Sequence, residues 1–251
     1  MTKIEIERKV LFDFLNSIGK DIPDLVIACA GVRVSAEIAY ASYYMRKAIT
    51  CTNISEQGTF YISDLDKVLK FLKASKQDVV TVRQTSPTKP IHFVAGANKL
   101  QLPSTDDIES NNKVPIVRKI LAECSKDKFT KIGKHDLIAH LTVSDTKDLK
   151  SLAGMRTLVS GDSLFRLRVH CGENELGIVA GATKSGRLFT SLPVSDCDGP
   201  NATVESNFGE WLPKQLQYLE DGDVRIYMGN NSPVIFDQAN TRILLTNILE
   251  G

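Results

Sequence analysis

Residues Ser63–Arg83 read SDLDKVLKFLKASKQDVVTVR. Leu65, Val68, Leu69 and Leu72 recur at i, i+3, i+4 and i+7, which makes one apolar stripe along a helix. Lys67 and Lys70 point away from that stripe, and Lys73 sits at its flank. Ser63 reads as the N-cap, with acids in the first turn. The run VVTVR then alternates, as a strand with one buried face does. A turn follows at TSPTKP, and IHFVAGANKLQL reads as two short strands or one bent strand.

The end of the chain repeats this order. Phe208, Leu212, Leu216 and Leu219 form a second helical stripe, with Lys214 and Gln217 facing away. Pro213 restricts that helix, because proline is tolerated only near a first turn. DVRIYM matches DVVTVR, GNNSP matches the TSPTKP turn, PVIF answers PIHF and ANTRILL answers ANKLQL. Asp78 and Asp223 lie 145 residues apart, and Pro90 and Pro233 lie 143 apart, so the chain contains an internal repeat.

The earlier part of each copy matches more weakly. IERKVLFDFLNSIG reads as a helix with Val10, Phe14 and Ile18 inward and Arg8 and Lys9 outward. SDTKDLKSLAGM places Leu149 and Leu152 inward and Lys147 outward, with Ser144 as its cap. Alternating strands follow each, so both copies read helix, strands, helix, strands: an α+β chain of two similar domains. These span residues 1–104 and 132–251, with a connector and extension at 105–131. The connector is polar, acidic and Asn-rich at first, and its IVRKILAEC piece reads as either a short helix or an extended segment.

Composition narrows the function. With 251 residues and 42% hydrophobic content, the chain can bury a real core. A net charge of +1 excludes a uniformly basic nucleic-acid binder, so any DNA contact needs charge sorted onto one surface. No segment approaches the roughly 18 apolar residues of a membrane helix. The opening MTKIEIERKV lacks the apolar core of a signal peptide, so an intracellular protein is expected. Cys29, Cys51, Cys124, Cys171 and Cys197 are odd in number and form no C-x-x-C, and reduced thiols are expected.

Catalytic signatures fail one by one. His135 and His140 are five apart, whereas a helical zinc pair needs i, i+4 with a glutamate between. GATKSGR from Gly181 has P-loop letters in the wrong order and reads as a turn. GDSLF is no nucleophile elbow, and DCDG from Asp196 lacks the later ligands of a calcium loop. No catalytic residue, cofactor, metal site or nucleotide-binding motif is expected.

The tandem units resemble the DNA sliding clamps, the family of proliferating cell nuclear antigen and the T-even phage clamps, over nearly the whole chain. DKVLKFLKASKQDVVTVR looks like the second helix and next strand of a clamp's first domain, and EDGDVRIYMGNNSPVIF like the same place in the last. TDDIESNNKVPIV sits where clamps carry their interdomain connecting loop. The resemblance implies two clamp-type domains, with helices on one face of curved antiparallel sheets, closed into a ring as a homotrimer. It implies a DNA polymerase processivity factor that encircles double-stranded DNA without reading its sequence. Its partners would be DNA polymerase, other proteins with clamp-binding peptides, and a separate clamp loader ATPase, with no membrane.

Under this resemblance Lys9, Lys67, Lys70, Lys73, Lys147, Lys150 and Lys214 would line the hole and attract phosphates. A solvated helix face is the plainer reading of the same lysines. The partner pocket maps onto exposed apolar residues among Tyr43, Tyr44, Met45, Val114, Pro115, Ile116, Pro233, Thr246 and Ile248. Core packing is the competing role for Met45 and Ile116. The connector lacks the usual motif of cellular clamps and residues 115–132 read as an extension. A virus-encoded or archaeal clamp, acting in the cytoplasm or nucleoid of a prokaryotic host, fits those departures. Three alternatives remain in view: a subunit of a heterotrimeric ring, an enzyme using His135, His140 or Cys171, and a monomer binding DNA on one basic face.

Overall fold

The computed structural model describes residues 1–19, 22, 24–103, 107–123, 128–155, 164–181 and 188–248. The readings of GATKSGR beyond Gly181, of the GDS in GDSLF, of Cys124 and of the side chain of Leu152 fall outside the described residues. The fold is α+β. The chain divides into two compact units, residues 1–40 with 45–117, and residues 41–44 with 118–251.

The first unit runs β1 (Thr2–Glu7), α1 (Arg8–Asn16), β2 (Leu25–Ala30), β3 (Arg33–Ala39), β4 (Tyr43–Thr50), β5 (Ile54–Glu56), β6 (Gly58–Ile62), α2 (Leu65–Ala74), β7 (Val79–Gln84), β8 (Ile91–Ala95) and β9 (Asn98–Leu102). Its strands are ordered β5-β1-β7-β8-β9 and β4-β3-β2-β6. The second unit runs β10 (Lys131–Ile132), β11 (His135–Asp136), β12 (Ala139–Val143), α4 (Thr146–Met155), β13 (Phe165–His170), β14 (Glu175–Ala180), β15 (Leu188–Pro193), β16 (Ser195–Asp198), β17 (Val204–Phe208), α5 (Trp211–Leu216), β18 (Val224–Met228), β19 (Val234–Asp237) and β20 (Thr241–Leu245). Its strands are ordered β16-β12-β18-β19-β20 and β15-β14-β13-β17. Substituting each strand by its counterpart turns one pair of orders into the other, so the internal repeat is a duplication of topology. The helix α3 (Glu109–Ala122) spans the boundary at Val117–Arg118.

Hydrophobic alternation builds both cores. Val80, Val82, Ile91, Phe93 and Ala95 are buried while Thr81, Arg83, His92 and Val94 face the other side. Leu65, Val68, Leu69 and Leu72 are buried on α2 as the stripe requires. The helix is capped by Asp64, whose carboxylate accepts from the Lys67 N–H at 3.0 Å, and not by Ser63. Its far end is closed by Arg8, whose guanidinium donates to the carbonyls of Leu72 and Gln77. On α1, Leu11, Phe14, Leu15 and the following Ile18 are inward, whereas Val10 is 38% exposed. Phe14 and Ile18 are thus inward as expected, and Leu11 takes the place expected of Val10.

Two further expectations change. Phe208 does not begin a helical stripe: it ends β17, paired with Phe165, and α5 is only six residues long. Gly209 lies just before that short helix, and Pro213 stands in its first turn, where the missing N–H costs nothing. The connector becomes helical at Glu109, with Pro115 inside α3 and Ser110 and Val114 buried on one side of it. The Ser110 hydroxyl accepts from the Ala39 N–H, which anchors that side of the helix to the end of β3.

Cys171 and Cys197 form a disulfide, which corrects the expectation of reduced thiols throughout. The pairing joins the turn after β13 to the edge strand β16, with Cα atoms 5.1 Å apart. Gly199 permits it: a Cβ there would lie 2.8 Å from the Cys171 sulfur.

Candidate functional site

The lysines on α2 stand on its solvent side. Lys67 and Lys70 are exposed and pair with Asp64 at 2.7 Å and Asp66 at 2.5 Å. The Lys67 hydrogen bonds hold the Asp64 carboxyl below its ordinary value, and the Asp66 hydrogen bond raises that of Lys70. Exposed pairs of this kind are worth little, so either ammonium can exchange its carboxylate for a phosphate at small cost. Lys9 and Lys73 are exposed and form no ion pair among the described residues.

The second unit spends its helix lysines differently. Lys147 lies 3.7 Å from Asp145, and Lys150 pairs with Asp221 at 2.5 Å. That hydrogen bond lowers the Asp221 carboxyl from its usual range. Asp145 also accepts from the Lys147 N–H, so it caps the α4 entry where Ser144 was expected to. Lys214 pairs with Glu210 at 2.7 Å and sits 4.7 Å above the Trp211 ring.

A small open hollow of about 50 Å³ lies within the second unit. Ser42, Phe208, Gly209, Trp211, Leu212, Leu245, Thr246 and Ile248 line it. Three backbone links hold its walls: the Thr246 N–H donates to Ser42 O, the Ile248 N–H to Asn207 O, and the Leu212 N–H to Gly209 O. A Cβ at Gly209 would stand 3.0 Å from the Ile248 side chain, so glycine lets the tail close over this turn. Trp211 packs on Tyr43 with ring centroids 5.0 Å apart, yet it and Ile248 stay 37% and 42% exposed. An apolar hollow with a half-exposed indole fits an apolar or aromatic anchor.

Of the nine expected pocket residues, Thr246 and Ile248 line this hollow, and Tyr43 backs it through Trp211. Tyr43, Tyr44, Met45, Val114 and Pro233 are buried rather than exposed, because the alternating strands and the inner side of α3 turn them into the cores. Pro115 and Ile116 are exposed on α3 in the first unit. Sequence reasoning missed Phe208, Trp211 and Leu212. The available signal was that the chain holds a single tryptophan, placed just after a glycine at a helix start.

The residues of the enzyme alternative do not assemble a nucleophile. Cys171 is in the disulfide. The His140 ring bonds the Leu137 carbonyl at 2.8 Å, and Asp198, its nearest acid at 3.9 Å, is engaged by Lys128. Burial, with the neighbouring Cys51, pushes the Cys29 thiol up to about 12, which leaves it unreactive at neutral pH. No group of three metal-ligating side chains occurs among the described residues.

No protein-family profile and no curated protein matches the chain in sequence. Solved structures do match, over almost all of it. The fold is that of the DNA sliding clamps. A Helicobacter pylori β clamp bound to a DNA ligase peptide superposes with a TM-score of 0.71 at 9% identity, covering 99% of this chain and 67% of that one. The β subunit of DNA polymerase III from Thermotoga maritima gives 0.72 at 11%, covering 100% and 66%. An A. fulgidus PCNA bound to the C-terminal region of FEN-1 gives 0.67 at 15%, covering 100% of both chains. The chain therefore spans about two thirds of the length of the bacterial clamps it matches, and as little as 64% of one.

Proposed function

We propose that this protein is a DNA sliding clamp: a non-catalytic processivity factor that encircles duplex DNA and tethers DNA polymerase. The observation that carries the reading is the match of a duplicated two-unit topology, end to end, to clamp structures. The lysines of α2, with Lys9, Lys147, Lys150 and Lys214, serve as the phosphate-facing set. Contacts to phosphate alone suit a tether that must slide, because they are equal at every register. The strands β9 and β15 each end a sheet, and pairing β9 of one copy with β15 of the next closes a homotrimer. A clamp loader ATPase opens that ring. The Trp211 hollow, with Thr246 and Ile248, receives the apolar anchor of a partner peptide, and the exposed Pro115 and Ile116 offer an apolar contact of the first unit's own. The neighbours bound to a ligase peptide and to a FEN-1 segment support that role by likeness. Such a protein works where replication does, inside the cell.

Light scattering of the pure protein tests assembly: a mass of about 83 kDa, three times 27.7 kDa, is expected. Retention on a closed circular plasmid with rapid loss from the linear form is expected of a ring. A 27.7 kDa species that leaves circles and linear DNA at one rate overturns the reading. Trp211→Ala should abolish capture of a clamp-binding peptide and leave assembly intact.

A further inference from the structure

We propose that the outward face of β7, β8 and β9 is a second nucleic-acid contact, at which Arg83 and Lys99 bind backbone phosphates around His92. This face is separate from the helix lysines. On β7 and β8 the residues beside it in sequence, Val82 and Phe93, are buried on the opposite side of the sheet. Cross-strand register aligns Lys3, Arg83, His92 and Gln101 in one row, and Glu5, Thr81, Val94 and Lys99 in the next. Adjacent strands lie about 4.8 Å apart, so His92 sits directly opposite Arg83 and diagonally opposite Lys99, between the two cations.

Charge on this face is sorted. Its acids stand on the β1 side, where Glu5 pairs with Lys3 at 3.2 Å and Glu56 lies opposite Lys3 in register. The β7–β9 side holds only cations. The Arg83 and Lys99 side chains are exposed and form no ion pair or hydrogen bond among the described residues. The field they make is felt by His92: desolvation first, then Lys99 and Arg83, hold its imidazole below the ordinary value. Its Nδ1 is buried with no hydrogen-bond partner. Two exposed cations, flanking a histidine whose charged form is disfavoured first by burial and then by them, are complementary to an anion. An arginine fork and an ammonium suit phosphate oxygens. The neighbours on this face, Thr81, Val94 and Gln101, are uncharged and partly or fully exposed, which leaves the face open to a backbone passing over it.

The test uses the full chain and a fluorescein-labelled 30-base-pair duplex, titrated by anisotropy between about 50 and 200 mM salt. Arg83→Glu with Lys99→Glu should weaken low-salt binding about tenfold or more. It should also reduce the slope of log affinity against log salt by about two, since each lost phosphate contact removes roughly 0.9. The same change placed on a Lys67→Glu, Lys70→Glu background should lower the residual binding again, which separates this face from the helix lysines. The His92 ring resonances should shift on adding duplex. Unchanged affinity and slope in a variant that melts like the parent overturns the proposal. So does a patch that binds polyglutamate, with the same sensitivity to the double substitution, but ignores DNA: its occupant would then be an acidic protein.

Discussion

The two units share a strand order yet treat the outer face of their five-stranded sheets in opposite ways. In the first, that face is open and carries Arg83, His92 and Lys99. In the second, the matching rows run His140, Tyr227, Ile235, Leu244 and Thr142, Arg225, Asp237, Arg242. Phe129 packs across them, with its ring 5.1 Å from that of Tyr227 and 4.6 Å below the Arg242 guanidinium. Tyr227, Ile235 and Leu244 are buried on this face. The edge strands differ too: β16 is tied by the disulfide and by the Lys128–Asp198 pair, while its counterpart β5 is held by its ladder and by the Ser55 hydroxyl, which donates to the Lys3 carbonyl. Duplication conserved the hydrogen-bonded ladders, and what lies on top of them diverged. A covered face serves stability; an open charged one is free to bind.

The largest expected effect comes from uncovering the second face. Phe129→Ala should cost about 3–5 kcal/mol, the usual loss for a buried aromatic, measured by urea unfolding. Val94→Ala, on the open face of the first unit, should cost under about 1 kcal/mol. Equal losses at the two sites would erase the contrast between the faces.

Opening the disulfide comes next. Cys171→Ser with Cys197→Ser should destabilise by about 3 kcal/mol, because the bond closes a loop with a sequence separation of 26. Hydrogen exchange should rise in β16 and in the turn after β13, with the first unit unchanged. Protection that falls equally in both units would mean the tether is not local.

The helix faces should differ in DNA binding. Lys67→Glu with Lys70→Glu should cut duplex affinity about tenfold at low salt, whereas Lys214→Glu should change it less than about threefold, since Lys214 is held by Glu210 and Trp211. A Lys214 effect as large as the α2 effect would put the two helices on the same footing.

The smallest effect is one of pH. His92 has a lowered folded value, so between that value and the ordinary imidazole range the unfolded chain binds the extra proton. Its contribution to stability is full above about pH 6.5 and is lost as the pH falls toward the folded value. His92→Gln should flatten the stability profile in that window, and a profile of unaltered slope would show that the cluster exerts no such pressure.

Much of this was legible in the residues. The α2 stripe, the alternation of VVTVR and the second copy of both led to a duplicated α+β chain. Where the reading slipped, local pattern met a neighbour it could not see. Val10 and Leu11 are equally apolar, and only packing chose Leu11. Phe208 fits a helical spacing, but pairing with Phe165 made it a strand end. The resemblance placed Tyr43, Tyr44 and Met45 in an exposed patch, but β4 is buried at those positions. The hollow depends on Gly209 admitting Ile248, a contact 39 residues apart in the chain.

By itself the sequence determined the periodicity, the duplication and the sorting of lysines onto one helix side, because each is a relation among residues close along the chain or repeated at a fixed offset. Tertiary structure alone decided which sheet face is covered, which cysteines meet and where the tryptophan comes to rest. Those outcomes depend on long-range closure, whose energy comes from buried area and shape fit between segments that share no local signal.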